Sequence, residues 1–253
     1  MAGLRCFYHY KGQKLPNQII LSETESNHLI KVRRAQINDI VSIFDGKGNE
    51  WECRLYLANS KKAVLKVRSH HIETVSPSEI TLAQGLPKGK TMDTIVQKAV
   101  ELGAHKIVPL VNANSEFRVS EDRAKEKVKK WYNVAIEACK QSGNSFLPEI
   151  DPIIPISLFC KSLQKPALKF IASLSDRAVS LSQALREQKN ENNLFSRPTI
   201  ILVGPEGDYT SKEHDLACKN GFIPITLGKS VLRSDTAAIV ALALLNNELQ
   251  REK

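Results

Sequence analysis

No stretch of this chain stays apolar for the roughly 18 residues that a membrane-crossing helix needs. The longest such run, Ala237–Leu245, falls well short. The opening residues MAGLRCFYHY lack the apolar segment of a secretory signal. The five cysteines (Cys6, Cys53, Cys139, Cys160 and Cys218) are odd in number, scattered, and never arranged as Cys-x-x-Cys. That argues against a disulfide framework or a zinc site and for a reducing, cytoplasmic setting. The six histidines (His9, His28, His70, His71, His105 and His214) show no metal-ligand spacing, so no metal is expected. There is no Gly-x-Gly-x-x-Gly, which disfavours a dinucleotide fold. Gly85–Thr91, GLPKGKT, follows a strand pattern as a phosphate loop would. It has three residues between its glycines where that loop needs four, and one missing residue misdirects the backbone N–H groups. No nucleophile motif supports Ser/His/Asp chemistry.

What is present is a basic, globular chain. Of 253 residues 42% are hydrophobic, ample for a folded core, and the formal net charge is +9. Residues 1–75 carry +5 of that charge, so the shorter amino-terminal part is denser in positive charge. Such asymmetry points to nucleic acid or, more plainly, to a solvated basic surface.

Two regions follow from the pattern. Over residues 1–75 short alternating runs, among them Leu4–Tyr10, Ile19–Ser22, Asp39–Phe44, Glu50–Leu57 and Ala63–Val67, predict a small β-barrel, with a short helix opening at Ser22 and running through Arg34. Asp45-Gly46 is a hairpin turn signal. His71–Ser78, with Pro77, reads as the linker. From residue 76 on, strands alternate with helices: strands Ile80–Gln84, Lys106–Val111, Leu168–Leu174, Thr199–Val203 and Ile223–Leu227; helices Thr91–Leu102, Glu121–Ser142, Leu181–Lys189, one from Thr210 and one from Asp235. Leu147–Ile156 reads as a loop. The alternation predicts an α/β domain on a mainly parallel sheet of about five strands.

The stretch Thr199–Leu245 organises the rest. It holds two units of one design, an apolar strand, a glycine turn and a helix. In the first unit Gly204-Pro205-Glu206-Gly207 precedes a helix whose Thr210 and Glu213 have capping-box spacing. In the second, the loop from Gly228 precedes a helix with Ser234 or Asp235 as N-cap. Glycine turns at the carboxyl ends of adjacent strands make the crevice where open α/β sheets bind ligands, and glycine lets the backbone approach a ligand closely.

Gly204–Gly207 followed by LGKSVLRSDTA (Leu227–Ala237) resembles the cofactor-site motifs of the SPOUT superfamily of S-adenosylmethionine methyltransferases. Within it the chain is similar to the family that methylates uridine N3 in small-subunit (16S) ribosomal RNA. The likeness extends to HLIKVRR (His28–Arg34), FDGKG (Phe44–Gly48), LPKGK (Leu86–Lys90), Gln97-Lys98-Ala99 and Gln141-Ser142-Gly143. The resemblance implies a trefoil-knotted α/β methyltransferase domain over 76–253, a PUA-like RNA-binding barrel over 1–75, and a homodimer acting on the assembled small ribosomal subunit. It also implies a pocket for S-adenosyl-L-methionine built from Val203, Gly204, Pro205, Glu206, Gly207, Leu227, Gly228, Val231 and Leu232, with Leu174 as an apolar wall and Thr236 close by. Two positions depart from the family pattern: Asp208 where a second glycine is usual, and Asn144 where arginine is common.

Uridine N3 carries a proton and is a poor nucleophile until it is lost, so a base or strong stabilisation of the uracil anion is required. Arg233 is the leading candidate for the stabilising cation, with a phosphate anchor as its other reading. Glu206 is a candidate base, or a carboxylate facing the cationic sulfonium or the methionine amine, with a turn carboxylate bonded to backbone N–H as its other reading. Arg5, His28, Lys31, Arg33, Arg34, Lys88 and Lys90 are the expected RNA contacts. Two other activities remain open: a ribose 2′-hydroxyl methyltransferase of the same superfamily, and a non-catalytic RNA-binding assembly factor.

Overall fold

A computed structural model describes residues 3–12, 14–74, 79–115, 120–163, 166–188 and 197–250. The carboxyl-terminal end of the expected linker, 75–78, and the last residue of the expected helix Leu181–Lys189 lie outside them. The chain divides into two compact units. One is the described part of Met1–Val75 together with Ile136–Leu147; the other is the remainder, Ser76–Ala135 with Pro148–Lys253.

The first unit is a five-stranded sheet of β1 (Leu4–Phe7), β2 (Gln18–Ile20), β3 (Ile40–Phe44), β4 (Asn49–Leu57) and β5 (Val64–Ile72), in the order β1-β3-β4-β5-β2. β1 pairs parallel with β3 and the other ladders are antiparallel. β5 runs five residues beyond the expected Val67, since 68–71 are polar and its register against β4 is carried by the backbone. The core gathers Ile19, Val41, Ile43, Trp51, Leu55 and Leu65, inward-facing residues of these strands, with Leu29 from the helical segment between β2 and β3. The expected single helix from Ser22 is two pieces. α1 (Glu23–Asn27) is capped by the Ser22 hydroxyl, and a π-turn (His28–Val32) follows, closed by the Arg33 N–H donating to the His28 carbonyl at 2.9 Å. Arg34 then leaves in the left-handed region at φ +55°.

The second unit holds a sheet of eight strands: β6 (Ile80–Gly85), β7 (Lys106–Val111), β8 (Glu149–Ile150), β9 (Ile154–Pro155), β10 (Leu168–Ala172), β11 (Val179–Ser180), β12 (Thr199–Val203) and β13 (Ile223–Thr226). Seven lie in the order β11-β13-β10-β12-β6-β7-β8 and β9 also pairs with β7; every ladder is parallel. The five strands of four or more residues are the five that periodicity predicts. The other three have two residues each, too short to show a period, and two of them sit in the stretch 147–156 expected as loop. The helices are α2 (Thr91–Glu101), α3 (Glu121–Ser142), α4 (Ile156–Ser162), α5 (Leu181–Glu187), α6 (Ser211–Lys219) and α7 (Ser234–Gln250). α4, seven residues long, is the helix that the pattern does not announce. α3 is one continuous helix, yet its residues from Ile136 on cluster with the first unit. There the buried Lys140 ammonium bonds the Glu25 carboxylate at 2.5 Å and Glu137 at 2.7 Å, and Glu25 also accepts the Phe7 N–H.

Four of the five thiols are buried. Burial pushes Cys53 and Cys139 up to about 12 and Cys160 to about 11, and Cys6 higher still with the help of the nearby Glu25 carboxylate. In the unfolded chain these thiols ionise near 9.0, so above that pH the unfolded state binds fewer protons than the folded one. Stability contributed by the neutral thiols is therefore complete below about 9 and declines as pH rises toward the folded values. The urea midpoint should fall between pH 8 and pH 10.5, with the absorbance of the four buried thiolates rising only on unfolding. Absorbance from more than one thiolate per native chain at pH 10, the partly buried Cys218 accounting for one, would contradict this.

Candidate functional site

A cleft of about 640 Å³, counting the open solvent at its mouth, lies at the carboxyl ends of β10, β12 and β13. β10 lies between the other two strands. The two glycine turns are therefore not on adjacent strands as expected, and Ala172–Leu174 forms a third wall between them. The first wall is the turn after β12, from Val203 to Glu206 with Asp208. The second is the loop after β13, Leu227, Gly228, Ser230, Val231 and Leu232, joined by Ser234 and Ala237 at the start of α7. Gly228 sits at φ +135°, backbone that only glycine adopts readily. Leu174 and Val231 are 60% and 77% exposed, apolar groups left at the rim of a cleft.

The walls are braced from behind. The buried Gln84, on β6, donates from Nε2 to the Ser234 hydroxyl at 3.1 Å and to the Gly85 carbonyl at 2.9 Å. The Ser234 hydroxyl in turn donates to the Gly204 carbonyl at 3.1 Å. Ser234, expected as a helix cap, thus spends its side chain tying the second loop to the first turn. A Cβ on Gly85 would meet Pro205 Cδ at 2.5 Å, so β6 approaches the turn as closely as only glycine permits. The turn is held from the far side by Asn112 and Asn114, whose side-chain amides donate to the carbonyls of Asp208 and Gly207. The Tyr209 hydroxyl donates to the Val203 carbonyl at 3.0 Å, and its complete burial pushes its ionisation well above the usual range. α6 opens with the expected reciprocal cap, Thr210 with Glu213. Glu213 also accepts the Ala113 N–H at 2.8 Å, adding a third tie to the 112–115 loop.

Of the eleven residues expected around a cofactor, Leu174, Val203, Gly204, Pro205, Glu206, Leu227, Gly228, Val231 and Leu232 line this cavity, whereas Gly207 and Thr236 do not. Gly207 instead turns its carbonyl to Asn114, and the Thr236 N–H donates to the Asp235 carboxylate. Arg233 is exposed and lies outside the lining, between Leu232 and Ser234. Glu206 lines the mouth and accepts the Lys88 N–H at 3.1 Å. Ala172, Ser173, Asp208, Ser234 and Ala237 also line the cavity and were not expected there. Most of them have small side chains with no chemical signature, placed by the strand order.

A family model described as the RNA methyltransferase domain matches residues 74–246, and one described as the RNA methyltransferase PUA domain matches 21–68. Ribosomal RNA small subunit methyltransferase E of Synechocystis is 30% identical over 95% of this chain and 78% of its own length. The protein of that name from Mesomycoplasma hyopneumoniae is 32% identical over 92% of this chain and 96% of its own. The chain belongs to the ribosomal RNA small subunit methyltransferase E family. Among solved structures, the family member from Neisseria gonorrhoeae bound to S-adenosyl methionine is 29% identical with a TM-score of 0.86, covering 97% of this chain and 98% of its own. A Legionella pneumophila protein solved with the cofactor SAM has the same TM-score at 26% identity, covering 98% of each chain.

For this member of the methyltransferase E family, the residues expected to meet RNA fall into two groups. Lys31 in the π-turn and Arg33 and Arg34 just after it have exposed side chains, and Lys88 and Lys90 are exposed on the loop before α2. Arg5 differs from expectation. Its guanidinium is mostly buried in an ion pair with Glu50, donates to the Ser145 hydroxyl at 3.0 Å and stacks over Phe44. A cation so engaged is not offered to phosphate. His28 is half-buried and its buried Nδ1 has no hydrogen-bond partner among the described residues.

Proposed function

We propose that this chain transfers a methyl group from S-adenosyl-L-methionine to N3 of a uridine in small-subunit ribosomal RNA, acting in the cytoplasm as a homodimer on the assembled subunit. The observation that carries the reading is the glycine-walled cavity at the ends of β10, β12 and β13, in a chain of this family. The cavity suits the cofactor: apolar walls from Leu174, Val231 and Leu232 for an adenine, and open backbone at Gly228 that a ligand can approach closely. The homodimer is supported by α7, which leaves Val240, Ala243 and Leu244 at least partly exposed on one side. No helix among the described residues is long and apolar enough to cross a membrane.

S-adenosylmethionine supplies a sulfonium methyl that the deprotonated N3 attacks, with the C–S electron pair staying on sulfur to leave a neutral thioether. The chain's task is alignment, proton removal and exclusion of water. Glu206, held at the cavity mouth by the Lys88 N–H, keeps its second oxygen to accept the N3 proton. Arg233, beside the cofactor loop, stabilises the negative charge on the uracil oxygens. Lys31, Arg33, Arg34, Lys88 and Lys90 hold RNA phosphates.

Calorimetric titration with S-adenosylmethionine should show one site per chain; no binding to the folded protein would overturn the reading. The double variant Arg33→Ala with Arg34→Ala should weaken RNA binding and lower the slope of log affinity against log salt by about 1–2, with cofactor affinity unchanged. An unaltered slope would remove these arginines from the RNA surface.

A further inference from the structure

The cavity wall carries charge of one sign. Two carboxylates, Glu206 and Asp208, line it, and no Lys, Arg or His does among the described residues. Glu206 already accepts the Lys88 N–H. Asp208 is held differently. It sits at φ +52°, a left-handed conformation that Asp tolerates better than most residues. Its N–H donates to the Pro205 carbonyl at 3.0 Å, and its own carbonyl accepts from Asn112 at 3.0 Å and Asn114 at 3.2 Å. One carboxylate oxygen, Oδ1, accepts the Tyr209 N–H at 2.7 Å and lies over Gly204, where an added Cβ would stand 2.7 Å from it. The Asp208 backbone is thus fixed by three hydrogen bonds and its carboxylate by a fourth, a preorganised, solvent-exposed negative charge on a cavity wall that no cationic side chain among the described residues lines.

We propose that Asp208 is a specificity-determining residue of this cavity. Its carboxylate favours a ligand carrying a positive charge at the reacting sulfur, S-adenosylmethionine, over the same ligand with a neutral thioether, S-adenosylhomocysteine. The inference rests on the proposed function, since it takes the cavity as the cofactor site. The two ligands share the adenosine and the amino-acid tail and differ only in the methyl and its charge. A fixed anion on the cavity wall attracts that charge in one ligand and has no such charge to act on in the other. It holds the methyl donor and lets the demethylated product go, so the same residue speeds product exchange.

The test uses the full-length protein and three probes: S-adenosylmethionine, S-adenosylhomocysteine, and sinefungin, which carries an ammonium in place of the methylated sulfonium. Dissociation constants are measured for the wild type and for Asp208→Asn and Asp208→Gly, both of which accept the left-handed backbone. The expected result is that S-adenosylmethionine and sinefungin bind about fivefold more weakly to both variants, while S-adenosylhomocysteine is unchanged. Equal weakening of all three would overturn the inference, because the carboxylate would then act on the shared tail or on the shape of the turn. Unchanged constants would overturn it as well. A wild-type protein that binds none of the three would instead sink the proposed function and this inference with it.

Discussion

Arg233→Ala is expected to lower turnover about 100- to 1,000-fold, the usual cost of removing one group that stabilises a developing oxyanion. The backbone at 233 is fixed, since its carbonyl accepts the Ala237 N–H at 2.8 Å in the first turn of α7. The residues on either side, Leu232 and Ser234, both line the cavity, while the Arg233 side chain is exposed outside it. That placement separates the two roles a cation could have here. A residue that held the cofactor would raise its dissociation constant on removal. A residue acting on the uracil anion leaves cofactor affinity intact and lowers kcat. Arg233→Lys keeps the charge without the planar fork and should recover part of the loss. Turnover within a few-fold of the wild type would remove Arg233 from the mechanism, and a parallel loss of cofactor affinity would assign it to binding.

Lys140→Ala is expected to destabilise the protein by about 3–5 kcal/mol, because it leaves the carboxylate of Glu25 buried without its cation. Burial alone would push the Lys140 ammonium toward its neutral form, but Glu25 and Glu137 together hold its pKa above the usual lysine value. Lys140 is 8% exposed, as is Glu25, so water replaces the lost partner poorly. The pair Glu25→Gln with Lys140→Met removes both charges and keeps an acceptor for the Phe7 N–H. It should be far less costly than Lys140→Ala alone. Urea denaturation followed through the buried Trp51 of the same unit reads the difference. A loss below about 1 kcal/mol for Lys140→Ala would mean that the ion pair is effectively solvated.

What the chain reveals locally and what it conceals divides along physical lines. The capping box at Thr210 and Glu213 is legible because both partners sit within four residues and the bonds form as spaced. The five long strands of the second unit are legible from their apolar runs, while β8, β9 and β11 are held only by parallel neighbours distant in sequence. α3 keeps one helical period through Ala135 and Ile136, so nothing local shows that its last part packs with residues 115 positions away, as Lys140 does with Glu25. Most of the cavity was foreseeable from its two glycine turns. Leu174 was expected from the resemblance, but its neighbours Ala172 and Ser173 in the same wall were not, because strand order is a property of the sheet and not of any segment. Ser234 has the composition of an N-cap, and only the approach of Gly204 and Gln84 redirects its hydroxyl. Arg5 looks like a free cation in sequence and is committed to Glu50 by the pairing of β1 with β3 and of β3 with β4.

The most direct test of the account is transfer of labelled methyl from S-adenosylmethionine to small ribosomal subunits that lack the modification, with the RNA digested to nucleosides and each labelled product identified by mass. The account predicts label in 3-methyluridine, lost with Arg233→Ala. Label in a ribose-methylated nucleoside, or no label from a folded protein that binds the cofactor, would contradict it.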